Sequence, residues 1–509
     1  MSPWTRRAAL LALLGVLVPP HVQAADGPRL AAAFSAWDVR TARTLLQRGL
    51  EGVPRRELPL HWGMLYLLEG DATRAEEVLS RATGAEAAVL RSIARATREA
   101  TRDLAVTSSP AGRFHVAYRP GPDEAALPYL LEAADAAFEE LSARIPVAVR
   151  FPIRVLLLPT FDDLSAVTGL GRSDLDASGA VAACVFNRIA MVSPSRLPRG
   201  YPYADTLAHE LAHYLMTVRA GDRVPLWLQE GMAKALEATW RGAPPGRVHR
   251  TLGELLADAV ARGRLLPFSS FRNSLARMAR PEDTALAFAQ LSSFASWLMD
   301  SHGASVLGRL LDELAAGDED IAVLRATGRT LQELRSDWLA GLVRQGMPAD
   351  PSSPRPAGTL LLETAADPSP EMTPEALAQF RLGDMLRLSG RPAAAAGKFR
   401  AVAESMPRPH PAVVGRLAGV LVDAGTPDAA LAVLDAAVLD EEEFPYLARE
   451  RGRALARQGR FGEAEMPLMT AVRSDPWDPE THEALARVFG ATGRADLAER
   501  EQRLAGAWR

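Results

Sequence analysis

Apolar positions recur along this chain with two periods, and the changes between them mark out its parts. Over residues 28–107 the spacing is helical, with Phe34, Trp37, Ala42 and Leu45 in one stretch and Trp62, Tyr66, Ala75, Leu79 and Ala82 in the next. Residues 113–118 then alternate apolar and polar, which predicts a strand. Leu127, Leu131, Ala134, Phe138 and Leu141 return to helical spacing, residues 152–158 read as a more deeply buried strand, and residues 169–179 as a loop. Residues 180–192 predict a strand or a hairpin broken near Asn187 and Arg188. Leu207, Leu211 and Leu215 form a stripe at i, i+4, i+8, the mark of a helix packed into a core. Past residue 230 the pattern stays helical, through Leu286 to Phe294, Val306 to Leu311, and Leu331, Leu334 and Trp338.

The last part of the chain repeats. Gly390, Gly425, Gly459 and Gly493 recur at spacings of 35, 34 and 34, each followed five residues later by an alanine, Ala395, Ala430, Ala464 and Ala498. Gly383, Ala418, Gly452 and Ala486 stand seven residues before them, and Phe399, Leu434 and Leu468 fill a matching large position. A helical pattern with this period resembles the tetratricopeptide repeat. The resemblance implies about four repeats over residues 375–509, stacked as a right-handed α-solenoid whose concave face takes a peptide or protein partner. The 62–82 stretch resembles one such repeat, so residues 28–107 are expected to be an N-terminal helical, tetratricopeptide-like module that packs against its neighbour. Residues 346–374 carry seven prolines and read as an extended, semi-rigid linker, interrupted by apolar residues 359–362.

Candidate chemistry sits on the Leu207/Leu211/Leu215 helix, which contains His209-Glu210-Leu211-Ala212-His213. Residues four apart share a helix face, so the two imidazoles can hold one metal ion between them. Glu210 is offset by about 100° from His209, within reach of a water beside that ion. Two histidine ligands and a general base are the division of labour of the HExxH motif. Glu230, in Pro225-Leu226-Trp227-Leu228-Gln229-Glu230-Gly231-Met232-Ala233 after a Gly221/Pro225 turn, is a candidate third ligand. Two His and one Glu leave a fourth position for water, as in catalytic zinc sites.

The HELAH and PLWLQEGMA segments together resemble the gluzincin superfamily of zinc metallopeptidases, specifically the bacterial peptidase MA-like domains, over roughly residues 110–345. The resemblance implies His209, His213 and Glu230 as ligands of one Zn2+ per chain, with Glu210 as catalytic base. It implies an α+β zincin-like catalytic domain, with a mixed sheet, the HExxH helix and a C-terminal helical part. In such folds an open sheet edge lies beside the zinc, which makes Ala180, Val181, Ala182 and Ala183 candidates for pairing with a substrate strand. The sequence departs from the superfamily at two places. Lys234 stands where many members carry an Asp that bonds the first histidine, and Glu237, nearly on the same face as Glu230, is the candidate substitute. Phe288 stands where a Tyr often donates to the oxyanion; Tyr201, Tyr203, Tyr214 and His302 are other donors in the chain.

Composition adds bounds. At 509 residues, 48% hydrophobic and 24% charged, the chain has room for about three domains, multidomain and mainly α. A net charge of −4 gives no nucleic-acid or membrane-surface footprint. Cys184 is the sole cysteine, so no intramolecular disulfide forms and metal binding is without thiolate. Arg6 and Arg7, the apolar run 8–18, Pro19-Pro20 and Val22-Gln23-Ala24 read as a signal peptide over residues 1–24. The protein is therefore expected to be exported, periplasmic or extracellular, with no membrane span after cleavage; an uncleaved anchor is the alternative. The leading expectation is an exported zinc metallopeptidase acting on peptide or protein substrates, with repeats that recruit substrate or partners. The competing one is an exported tetratricopeptide scaffold or assembly protein whose peptidase-like domain is weakly active or inactive. The motif specifies a carbonyl and not its neighbours, so hydrolysis of a non-peptide amide is a third reading.

Overall fold

Long helical periodicities become helices here, and the short alternating runs become a five-stranded sheet. The computed structural model describes residues 26–49, 58–197, 200–271, 275, 278, 281–345 and 372–507. The expected signal segment and most of the proline-rich linker, with its apolar residues 359–362, lie outside these.

Among the described residues five helices come first: α1 (Asp26–Ser35), α2 (Val39–Arg48), α3 (Leu58–Glu69), α4 (Ala72–Leu79) and α5 (Ala85–Ala100). Asp38 and Asp71 cap α2 and α4 by accepting from Thr41 N and Arg74 N, which satisfies amide groups the helix itself leaves open. Strands β1 (Ala105–Ser108) and β2 (Phe114–Tyr118) follow, then α6 (Leu127–Arg144), β3 (Ile153–Leu158), α7 (Phe161–Thr168), α8 (Arg172–Ser178), β4 (Ala182–Val185) and β5 (Arg188–Val192). The sheet order is β1-β2-β3-β5-β4. Its three inner strands are parallel, and β1 and β4 lie antiparallel at the two edges.

Leu156 and Leu158 of β3 and Ala190 and Val192 of β5 point to one face, where Leu164, Val167 and Leu175 of α7 and α8 cover them. The opposite face meets α6, with Phe114 edge-on to Phe138 at 6.4 Å between ring centroids. Both faces of β3 and β5 are thus covered, and these two strands read as nearly continuous apolar runs, whereas β2 alternates and leaves His115 exposed.

Strand β1 and helices α7 and α8 were not legible beforehand. Strand β1 is four residues long and alternately half-buried and exposed, too short to carry a period. The expected boundary between residues 107 and 110 therefore falls at its end, and the sheet starts earlier than the sequence suggested. Helix α8 occupies most of the stretch expected to be a loop, held by an Arg172–Asp176 pair at 2.8 Å. Glycines on both sides of it had read as loop signals.

Beyond the sheet run α9 (Tyr203–Ala220), α10 (Leu226–Leu236), α11 (Arg250–Ala261), α12 (Pro281–His302), α13 (Val306–Ala316), α14 (Glu319–Thr327) and α15 (Leu331–Gln345). The described residues divide into two units. One takes in 26–196, 204–248 and 252–345, so the first five helices share a unit with the sheet. Arg188 of β5, 2% exposed, ties them together by donating to Thr97 Oγ1 of α5 at 2.9 Å. Ser35 at the end of α1 donates to Asp222 at 2.7 Å.

The other unit is built on α16 (Pro374–Leu388), α17 (Pro392–Ser405), α18 (Pro411–Asp423), α19 (Pro427–Ala437), α20 (Pro445–Arg457), α21 (Phe461–Val472), α22 (Pro479–Ala491) and α23 (Ala495–Ala507), four helix pairs in series. The small and large positions of the period meet in space: Gly383 stands against Phe399 and Gly452 against Leu468. Successive pairs are also joined by charge. Arg416 of α18 reaches Asp384 of α16 at 2.9 Å, and Arg453 of α20 reaches Asp423 of α18 at 2.7 Å. Glu450, 1% exposed, receives both Arg449 and Arg453 at 2.6 Å. Among the described residues no helix is long and apolar enough to cross a membrane.

Because Glu450 neutralises two guanidinium groups in a water-poor interface, Glu450→Gln is expected to destabilise this unit by about 3 kcal/mol. Urea unfolding of the full chain, followed by circular dichroism, reads the shift of its transition; an unchanged midpoint would show the ion cluster to be dispensable.

Candidate active site

Helix α9 is anchored before it carries any chemistry. Leu207, Leu211 and Leu215 are each 0% exposed, so one side of the helix is fully committed to the core. That fixes the direction in which the other sides point. His209 and His213 are one turn apart, and their Nε2 atoms lie 3.2 Å from each other.

The second wall is α10. Pro225 starts it, and its fixed φ suits a helix entry. Glu230 follows one turn later and is 3% exposed. Its Oε2 lies 3.6 Å from His209 Nε2, and its Oε1 lies 3.8 Å from His213 Nε2. That Oε1 is buried and accepts no hydrogen bond. Next to it, Gly231 faces α12 so closely that an added Cβ would stand 2.8 Å from the Leu291 carbonyl oxygen. Glycine there lets α10 seat against α12, and the depth of that seating sets where Glu230 points.

The two walls are tied at their ends. Asp205, in the first turn of α9, accepts from Trp240 Nε1 at 2.9 Å and from Arg241 Nη2 at 3.0 Å, both just beyond α10. Burial raises the Asp205 pKa, and the Arg241 guanidinium opposes that rise. This clamp was invisible in sequence because its partners lie 35 and 36 residues apart.

Glu237, the candidate substitute, directly follows the last residue of α10 and places Oε2 3.1 Å from His209 Nδ1. Its other oxygen pairs with Lys234 Nζ. Lys234, the departure noted above, thus faces a carboxylate and not the histidine. Burial works against charge on both Glu237 and His209, yet their neighbours prevail: Lys234 and His209 hold Glu237 down to about 2, and Glu230 and Glu237 push His209 up to about 10.

These residues fit a metal ion. The ligand atoms of His209, His213 and Glu230 all lie within 4.8 Å of one another. In a tetrahedral site with bonds of 2.0–2.1 Å, ligand atoms stand about 3.4 Å apart, close to the three separations found here. An unsatisfied buried carboxylate oxygen, aimed at two imidazole nitrogens, is a donor set in search of a cation. Glu210, 8% exposed, is the next residue round the helix from His209.

Residues 133–344 match the model of the Peptidase MA superfamily. The match takes in α9, α10 and α12, and with them His209, Glu210, His213, Glu230 and Glu237. Another similarity is to the TPR repeat-containing thioredoxin TTL4 of Arabidopsis thaliana, 30% identical over 148 residues. That covers 28% of this chain and 21% of the relative, so the chain spans about a fifth of that protein's length.

The other expected site residues fall as follows. Strand β4 is an edge, but it starts at Ala182, so Ala180 and Val181 precede it. The ladder reaches back only as far as Val181, whose carbonyl accepts from Val192 N at 2.8 Å. Ala182 is buried and Ala183 half-buried. Phe288 is half-buried on α12 and offers no hydroxyl. Tyr214 gives its hydroxyl to Asn187 Oδ1 at 2.7 Å, which commits it elsewhere.

Two substitutions test this geometry. Glu237→Gln is expected to lower affinity for Zn2+, titrated against a chromophoric chelator, about 10–100-fold by loosening His209. Gly231→Ala is expected to lower it as well, by shifting Glu230 away from the histidines; wild-type affinity in both variants would mean that neither contact shapes the ligand set.

Proposed function

We propose that this protein is an exported zinc-dependent metallopeptidase that hydrolyses peptide bonds, with His209, His213 and Glu230 as metal ligands and Glu210 as general base. One observation carries the reading: two imidazoles and a buried carboxylate with one unsatisfied oxygen converge inside a region matching the Peptidase MA superfamily. Zinc in such a site supplies Lewis acidity and brings the pKa of water towards about 7. Glu210 takes a proton from the attacking water and returns it to the leaving amine. Glu237 keeps His209 in the tautomer that leaves Nε2 free to donate its lone pair, and Lys234 keeps Glu237 ionised. The helix pairs of residues 372–507 recruit substrate or partner proteins, as the repeat resemblance implies. Export follows from the charged and apolar pattern of residues 1–24.

Phe288 favours a second reading, a tetratricopeptide scaffold with a weakly active or inactive peptidase-like domain, because a phenyl ring cannot donate to an oxyanion. Metal analysis beside casein cleavage, with and without chelator, separates the two. The peptidase reading expects about one zinc per chain and cleavage that the chelator abolishes; zinc without chelator-sensitive cleavage supports the scaffold. Glu210→Gln is expected to keep its zinc and lose at least about 100-fold in turnover. Wild-type turnover in that variant would remove Glu210 from the mechanism.

A further inference from the structure

Strands β4 and β5 are joined by the two-residue turn Phe186-Asn187, and both residues have positive φ, 51° and 58°. Such a turn matches the twist of a hairpin, but it favours Asn and Gly and is strained for a bulky residue such as Phe. Strain of this kind persists only where surrounding contacts over-determine it. Here they do. Phe186 is 5% exposed, with the Arg188 guanidinium 5.7 Å from its ring centroid. Asn187 Nδ2 donates to the Leu68 carbonyl of α3 at 3.0 Å, and its own carbonyl accepts from Arg154 Nη2 at 3.3 Å.

The remaining contact leads to the metal-site helix. Asn187 Oδ1 accepts from Tyr214, the residue directly after His213. The Tyr214 ring lies against Trp37, at the turn between α1 and α2, with centroids 5.4 Å apart. Burial raises the pKa of its hydroxyl, and Cys184 of β4 lies near enough to add to that rise. One hydrogen bond thus links the tip of the edge hairpin to the helix bearing two of the ligands, and the N-terminal helices brace it from both sides.

We propose that Tyr214 and Asn187 are positioning residues: their hydrogen bond sets the distance and register between edge strand β4 and the His209–His213 pair, and so determines which peptide bond of an extended substrate reaches the metal site. This rests on the metallopeptidase reading above. An extended peptide adds to an edge through evenly spaced backbone hydrogen bonds, so a shift of the edge strand moves the point of cleavage along the substrate. The bridge touches neither substrate nor metal. Leu68 of α3 and Trp37 between α1 and α2 act through it as a brace for the helix that carries His209 and His213.

The test compares zinc-loaded full chain with Tyr214→Phe and Asn187→Gly, using fluorescein-labelled β-casein for KM and kcat and mass spectrometry for its cleavage sites. Glycine suits the turn and removes only the two side-chain hydrogen bonds. The expected result is a KM raised about tenfold in both variants, a nearly unchanged kcat and zinc content, and cleavage sites displaced or broadened. A casein cleavage map and KM identical to wild type would overturn the proposal while leaving the peptidase reading standing. Loss of zinc or of thermal stability with an unchanged cleavage map would also overturn it, as a purely structural role. A wild-type chain without chelator-sensitive cleavage would overturn the peptidase reading and this proposal together.

Discussion

Seating α10 against α12 is the constraint from which the grouping of His209, His213 and Glu230 follows. A carboxylate has to meet two imidazoles that α9 already fixes, and it has to do so with 3% of its surface exposed. Small errors in helix separation would leave Glu230 buried, charged and without a cation, which is among the least favourable states a side chain can occupy. Gly231 carries no side chain to hold α10 and α12 apart, and the Asp205 bonds to Trp240 and Arg241 tie the start of α9 to the residues just beyond α10. The ligand set is therefore a consequence of helix packing, with a buried leucine stripe on α9 as its other fixed point.

Charge balance accounts for Lys234, whose ammonium pairs with Glu237. Two carboxylates, Glu230 and Glu237, approach His209 from either side. Lys234 offsets the second of them, so the group keeps room for one further positive charge. Glu230 and Glu237 together push the His209 imidazole up to about 10, so the group favours added positive charge. A divalent cation held by His209, His213 and Glu230 would supply that charge.

The sequence made the chemistry legible and left the architecture half read. His209, Glu210 and His213 are visible because a single helix imposes their spacing, and Glu230 because it opens the next helix after a marked turn. The 34-residue period is visible because small and large residues recur at positions that touch, as Gly383 and Phe399 do. Contacts between residues distant in the chain left no local trace. Asp205 with Arg241, Asn187 with Tyr214, and Gly231 with Leu291 are each set by how helices and strands pack, and nothing in either neighbourhood announces the partner. Strand β1 and helix α8 escaped notice for another reason. Each is short, and ladder pairing in β1 or the Arg172–Asp176 ion pair in α8 holds it without a strong apolar period.

Crystallographic anomalous scattering at the zinc edge, recorded from the full chain grown with Zn2+, addresses the central claim most directly. The account expects one strong peak bounded by His209 Nε2, His213 Nε2 and a Glu230 oxygen, each at about 2.0–2.2 Å. A peak bound by other residues, or none between these three side chains, would contradict it.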